Sequence, residues 1–267
     1  MGTIKNIEAA YLVVMGAVCG DIIGSWFEFS STKRIDFEMF TNPCGFTDDT
    51  VCTIGIADAL VHDGPFDKWL RIWCRKYPRA GYGGMFRSWF FSDSMGPYNS
   101  WGNGSAMRVS PVGAIANSFE EARSLARESA EITHSHPEGI KGAQAVATSI
   151  YYALTGKSKD EIKAMVESEF GYNLSRRYSE IQPRYSFDVS CQGSVPEAII
   201  CFLESTDYEN AVRKAVALGG DADTQAAITG GIAAAFYGHI PDDILQQCNA
   251  RLRDDMKEVI RKFNTML

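Results

Sequence analysis

From residue 118 onward the chain repeatedly signals the start of a helix. Ser118 with Glu121, Ser158 with Glu161 and Ser194 with Glu197 each fit the Ser-x-x-Glu capping pattern. In that pattern a hydroxyl and a carboxylate satisfy amides that a first helical turn leaves free. Pro137 and Pro196 are read as standing near helix starts, where a missing N–H costs little. Between these signals lie apolar runs at helical spacing over 122–132, 140–154, 162–170, 198–203 and 211–218. No convincing strand alternation is found, and the nearest candidate is 185–189. No internal repeat, low-complexity tract or linker breaks the sequence. The expectation is an all-α chain forming a single domain over 1–267.

The first half adds one long apolar segment over 7–29, expected as a buried helix. Gly16, Gly20 and Gly24 recur every four residues, so they share one helical face and let another backbone approach it. Asp21 and Glu28 interrupt this segment, and a carboxylate there must be exposed, paired or bound to something. After a polar loop, Thr47 reads as an N-cap with Asp48 and Asp49 in the first turn of a helix running to about His62. Acids at that end are explained by the helix dipole alone. They also point in different directions, so both can reach one ion. A second acidic cluster, Gly219-Gly220-Asp221-Ala222-Asp223-Thr224, opens another apolar run. Oxygen ligands without nearby Cys or His suit Mg²⁺, Mn²⁺ or Ca²⁺ better than zinc. Four carboxylates brought together would suffice for two divalent cations.

Residues 65–110 are rich in aromatics, which fits either packing around irregular backbone or the wall of a cleft that stacks on a base. Gly102-Asn103-Gly104-Ser105 precedes a helix-like run at 106–117, and a glycine loop entering a helix offers amides to an anion. An ordinary turn is the competing reading, since neither a Walker loop nor GxGxxG is present. His134 and His136 stand two apart and so do not share a helical face, which leaves His134 as a loop histidine able to meet a ligand. His62 and His239 lie at helix ends, and the segment from Arg251 to the C-terminus reads as a solvated amphipathic tail after a last helix begun by Pro241. Asp93 is read as a solvated loop acid before a guanidinium partner.

A formal charge of −7 offers no basic surplus to displace counterions from nucleic acid. The seven cysteines form no CxxC pair, and several sit in apolar runs as small core residues. The run 9–20 is too short to span a bilayer, and no basic region with a cleavage site precedes it. A reduced, cytoplasmic, soluble protein is expected, working as a monomer without nucleic acid or membrane.

Taken together the motifs resemble the ADP-ribosylglycohydrolase family, which includes the dinitrogenase-reductase-activating glycohydrolase and the ADP-ribosylarginine hydrolases. The resemblance rests on Gly20-Asp21 through Glu28, Phe46-Thr47-Asp48-Asp49-Thr50, Gly102-Asn103-Gly104-Ser105-Ala106-Met107-Arg108, Thr133-His134 and Gly219-Gly220-Asp221-Ala222-Asp223-Thr224, in that order. It implies a helical bundle of orthogonal type with a binuclear Mg²⁺ or Mn²⁺ centre. Thr47, Asp48 and Asp49 would form one side of that centre, and Asp221, Asp223 and Thr224 the other. The same resemblance implies that Gly102, Asn103, Gly104, Ser105, Ala106, Met107 and His134 hold ADP-ribose. Glu28 is implied as acid or base, with Asp221 the second candidate. The activity implied is hydrolysis of the bond between ADP-ribose and a protein side chain, arginine first. Serine-linked or O-acetyl-ADP-ribose conjugates are the alternatives within enzymes, and a non-catalytic ADP-ribose-binding module lies outside them.

Overall fold

The computed structural model describes residues 7–266; the first six residues and Leu267 of the expected 1–267 domain lie outside the described residues. The first eight helices are α1 (Ile7–Gly24), α2 (Asp48–Val61), α3 (Phe66–Lys76), α4 (Gly84–Phe91), α5 (Gly104–Met107), α6 (Ser110–Ile115), α7 (Phe119–Glu131) and α8 (Pro137–Leu154). The rest are α9 (Lys159–Phe170), α10 (Tyr178–Ile181), α11 (Cys191–Leu203), α12 (Tyr208–Ala217), α13 (Ala222–Tyr237), α14 (Asp242–Arg251) and α15 (Asp254–Asn264). Among the described residues no strand forms. The segment 185–189 runs as irregular backbone beside an isolated antiparallel bridge between Gly102 and Ser190. The chain is therefore an all-α, single-domain fold with one continuous apolar core. No helix among the described residues is long and apolar enough to cross a membrane.

The glycine stripe of α1 sets the geometry of everything else. A Cβ at Gly16 would stand 2.5 Å from the Gly230 carbonyl oxygen, and one at Gly24 would stand 2.5 Å from that of Ala222. At Gly20 it would overlap the Ala226 carbonyl. Helices α1 and α13 thus lie backbone to backbone, and the end of α1 meets the start of α13. Replacing Gly20 by Ala is expected to cost about 1–3 kcal/mol by overpacking, read as a lower urea midpoint at unchanged slope. An unchanged midpoint would contradict this packing.

Local chemistry accounts for the helix ends, and it corrects three sequence readings. The Ser158–Glu161 box forms completely, whereas at Ser118 the hydroxyl caps Glu121 N–H and the Glu121 carboxylate reaches back to Asn117 N–H instead. Ser194 and Glu197 are no cap: they lie inside α11, whose N-cap is Ser190. Pro196 is likewise interior to that helix, while Pro137 does open α8. The last helical stretch is two helices, because Leu252 turns extended between α14 and α15. The aromatic region contains α3 and α4, which bury Trp73, Trp89 and Phe90. All seven cysteines are free and buried.

Candidate active site

Three helix ends converge where α1 meets α13. Asp21 occupies the last turn of α1 and is fully buried. One of its carboxylate oxygens accepts the Thr47 hydroxyl at 2.6 Å. The other accepts the Thr47 N–H and Thr50 N–H, each at 3.0 Å, and a short bond from the Thr50 hydroxyl. The partner that a carboxylate in an apolar helix requires is therefore the start of α2. Thr47 caps α2 and accepts from Asp49 N–H, so Asp21 and Thr47 together fix where Asp48 and Asp49 project. On the other side Gly219, with φ of +72°, turns the chain out of α12 and brings Asp221 to the N-cap position of α13, where its side chain makes no capping bond.

The result is six carboxylates at one place: Asp21, Glu28, Asp48, Asp49, Asp221 and Asp223. Asp21, Asp49 and Asp223 each place an oxygen within 4.8 Å of the others, and so do Glu28, Asp221 and Asp223. Asp223 belongs to both sets. Thr224 sets its hydroxyl 3.4 Å from Asp49 Oδ2, while Asp49 Oδ1 is buried with no hydrogen-bond partner. None of the six carboxylates forms an ion pair with Lys, Arg or His among the described residues.

Burial without a counter-charge disfavours the ionised form of these acids. Burial raises Asp49 and Asp223 well above the carboxylate range, and neighbouring aspartates add to it. Asp48 is pushed up to about 8 by burial and then by the Asp21 charge. Half-buried Glu28 rises to about 7 through burial and then through Asp221 and Asp21. Burial also raises Asp21 and Asp221, opposed by hydrogen bonds from Thr47 and Thr50 in the first case and from Asn103 in the second. Hard oxygen donors, an orphaned buried carboxylate oxygen and no compensating side chain together fit divalent cations of the Mg²⁺ or Mn²⁺ type.

With Asp21 behind them, five of these acids, Glu28, Asp48, Asp49, Asp221 and Asp223, floor a cleft of about 380 Å³. Its walls include Phe86, Tyr98, Gly102, Asn103, Gly104, Met107, His134, Phe187 and Val189. The chain runs across the cleft through main-chain bonds, with Asn103 N–H to Val189 O at 2.8 Å and Cys191 N–H to Trp101 O at 2.9 Å. Asn103 does more than line the wall. Its amide donates to Asp221 at 2.6 Å and to the Ser194 hydroxyl at 3.1 Å, and that hydroxyl donates to the Asp188 carbonyl. Because the Ser194 proton is already used, the amide nitrogen rather than its oxygen must face both partners. Ser194 thus orients Asn103 against Asp221.

Of the residues expected from sequence, Asp48, Asp49, Asp221, Asp223, Thr224 and Glu28 line the cleft with Gly102, Asn103, Gly104, Met107 and His134. Thr47 stands behind the acids with its hydroxyl given to Asp21. Ser105 and Ala106 are buried beneath the loop, and Ser105 donates to the Gly139 carbonyl at 2.7 Å. Asp93 lies apart, exposed and paired with Arg75 at 2.5 Å. Sequence reasoning did not place Asp21 among the site carboxylates, nor Ser194, Phe187 or Val189 beside the cleft. For Asp21 the signal was present, as an acid in a buried apolar helix.

A family model described as ADP-ribosylglycohydrolase matches residues 4–266. The human protein named ADP-ribosylhydrolase ARH3 is 25% identical, over 96% of this chain and 93% of the human one. The Danio rerio protein of the same name is 28% identical, over 94% of this chain and 88% of its own. A solved structure described as an ADP-ribosylglycohydrolase-related protein complex superposes with a TM-score of 0.76 at 24% identity, over 98% of this chain and 99% of that one.

Proposed function

Because the chain belongs to the ADP-ribosylglycohydrolase family, we propose that it hydrolyses the bond joining C1″ of ADP-ribose to a conjugated side chain, with two divalent cations held by its acidic floor. One observation carries this reading above all: Asp223 is common to two oxygen clusters at the base of a cleft walled by Gly102, Asn103, Gly104, Met107 and His134. Asp48, Asp49, Asp221, Asp223 and Thr224 would hold the cations, with Thr47 as a sixth donor. Bound there, such cations would supply electrostatic stabilisation to ribose oxygens and to a water. The chain's own residues do the rest. Asp21 holds Thr47 and Thr50, and so aims Asp48 and Asp49. Asn103 holds Asp221. Glu28 is half-buried at the cleft beside Asp221 and Asp223, where it is placed to carry or accept a proton. Cleavage builds oxocarbenium character that the surrounding carboxylates stabilise.

The relatives' names specify ADP-ribosylhydrolases without naming arginine. Asp93, upstream of the glycine loop, is exposed and already paired with Arg75. The substrate class we propose is therefore an ADP-ribosylated protein or small ADP-ribose conjugate, with arginine-linked material the first to test and serine-linked material the second. We propose with it a cytoplasmic monomer acting without nucleic acid or membrane. The test is release of free ADP-ribose from both substrates, with and without Mg²⁺ or Mn²⁺. Metal-dependent release from arginine alone supports the narrower reading, and release from serine alone redirects it. Binding of ADP-ribose without release from any conjugate would make the chain a binding module.

A further inference from the structure

His134 sits at the cleft between two donors and acceptors whose roles are fixed by chemistry alone. Behind it lies Arg108, fully buried, whose guanidinium donates to the Ser129 carbonyl at 2.8 Å and to Thr133 Oγ1 at 3.0 Å. A guanidinium has no acceptor, so Thr133 Oγ1 must accept from it. Thr133 is itself fully buried, and its remaining contact is His134 Nδ1 at 2.7 Å. Were Nδ1 protonated, Oγ1 would accept twice and its own proton would be left buried without a partner, at the cost of a lost hydrogen bond. The threonine proton therefore goes to Nδ1.

We infer that Arg108 and Thr133 are positioning residues that hold His134 as the neutral tautomer with its proton on Nε2, presented to the cleft as a hydrogen-bond donor. The ring is aimed accordingly: a Cβ at Gly104 would stand 3.1 Å from Nε2, and one at Gly102 would stand 3.5 Å from it, and both glycines line the cleft. Backbone bonds from Thr133 N–H and His134 N–H to the Ala130 carbonyl, at 3.1 and 2.7 Å, hold the pair at the end of α7. Burial first, and then the Arg108 charge, push the imidazole well below its usual pKa, which keeps a second proton off the ring. His134 then serves as an uncharged single donor rather than as an acid or base. Its partner must be an acceptor oxygen, and under the reading of the cleft proposed above this is an oxygen of ADP-ribose.

The tautomer is measurable without substrate or metal, by long-range ¹H–¹⁵N correlation on histidine-labelled protein. His134→Gln identifies the relevant signals among those of the four histidines. The expected wild-type pattern at neutral pH is one protonated nitrogen at Nε2 and one bare nitrogen at Nδ1. An Nδ1–H tautomer or an imidazolium overturns the inference. Thr133→Val is expected to release the ring into a mixture of tautomers, with Thr133→Ser restoring the single form. A pure Nε2–H signal in Thr133→Val overturns the assignment of Thr133. In calorimetric titration, ADP-ribose is expected to bind Thr133→Val about fivefold to tenfold more weakly than wild type, with recovery in Thr133→Ser. Failure of ADP-ribose to bind wild type at all would count against the substrate reading while leaving the tautomer result intact.

Discussion

Asp223→Ala is expected to lower ADP-ribose release at least about a thousandfold while leaving the fold helical. The size of the effect follows from position: Asp223 is the one carboxylate shared by both oxygen clusters, so its loss removes a ligand from each. Isothermal titration with Mn²⁺ should fall from two tight sites per chain in the wild type to none or one. The metal-free variant should be as stable as the wild type or more so. Asp223 is fully buried, raised by burial and by the charges of Asp49, Asp221, Glu28 and Asp21, and offset by no cation. Removing it relieves repulsion and desolvation together. Loss of function with no loss of stability is the signature of a ligand rather than a structural acid. Asp48→Ala should behave similarly, although it lies in neither three-carboxylate set and should leave more residual binding. Wild-type turnover in the Asp223 variant, or two undiminished metal sites, would sink the binuclear reading.

Asp21→Asn provides the contrast. Its carboxylate accepts four hydrogen bonds from Thr47 and Thr50, and an amide would turn donors toward donors. Here the metal-free protein itself should lose stability, by about 1–3 kcal/mol.

How much of this was legible beforehand divides along a physical line. Helical content, the tight glycine face and the two acidic helix starts could be read because each is a local pattern, fixed by residues a turn or two apart. The glycine stripe in particular forces backbone contact wherever its partner lies, and the partner proved to be α13, which carries the second acidic cluster. What failed was local pattern borrowed by distant chemistry. Ser194 and Glu197 have the spacing of a cap, but their side chains serve Asn103 and Arg176. Such a hydroxyl and carboxylate cannot be told from a cap until the third dimension is known. The segment 185–189, only the nearest strand candidate, forms no strand, but nothing local told that it lies beside the 102 loop and supplies Phe187 and Val189 to the cleft. Asp21 was recognisable as an acid in need of a partner, while its partner's identity depended on a loop of 22 intervening residues, 25–46, whose path no periodicity describes.

The metal-free protein is expected to lose stability as pH rises from 5 to 8, the reverse of an ordinary acid-sensitive protein. An unfolded chain releases carboxyl protons near pH 4. Folded Glu28 holds its proton to about 7 and Asp48 to about 8, and burial raises Asp49 and Asp223 well above the carboxylate range as well. Between those values the folded state binds more protons than the unfolded state, so stability falls with rising pH. Cations invert the trend, because they bind the deprotonated carboxylates and displace the protons. Mn²⁺ or Mg²⁺ should therefore raise Tm little at pH 5 and strongly at pH 8. At about a thousandfold excess over Kd one site contributes ~4 kcal/mol. With each kcal/mol worth roughly 2–4 °C in a domain somewhat smaller than this one, the shift should approach or exceed 10 °C. Differential scanning calorimetry at both pH values, with chelator and with metal, measures all four quantities. A metal shift at pH 5 equal to that at pH 8 would mean that the buried acids are not the ligands. A metal-free Tm that rises with pH would mean that they are already ionised and paired by something other than a cation.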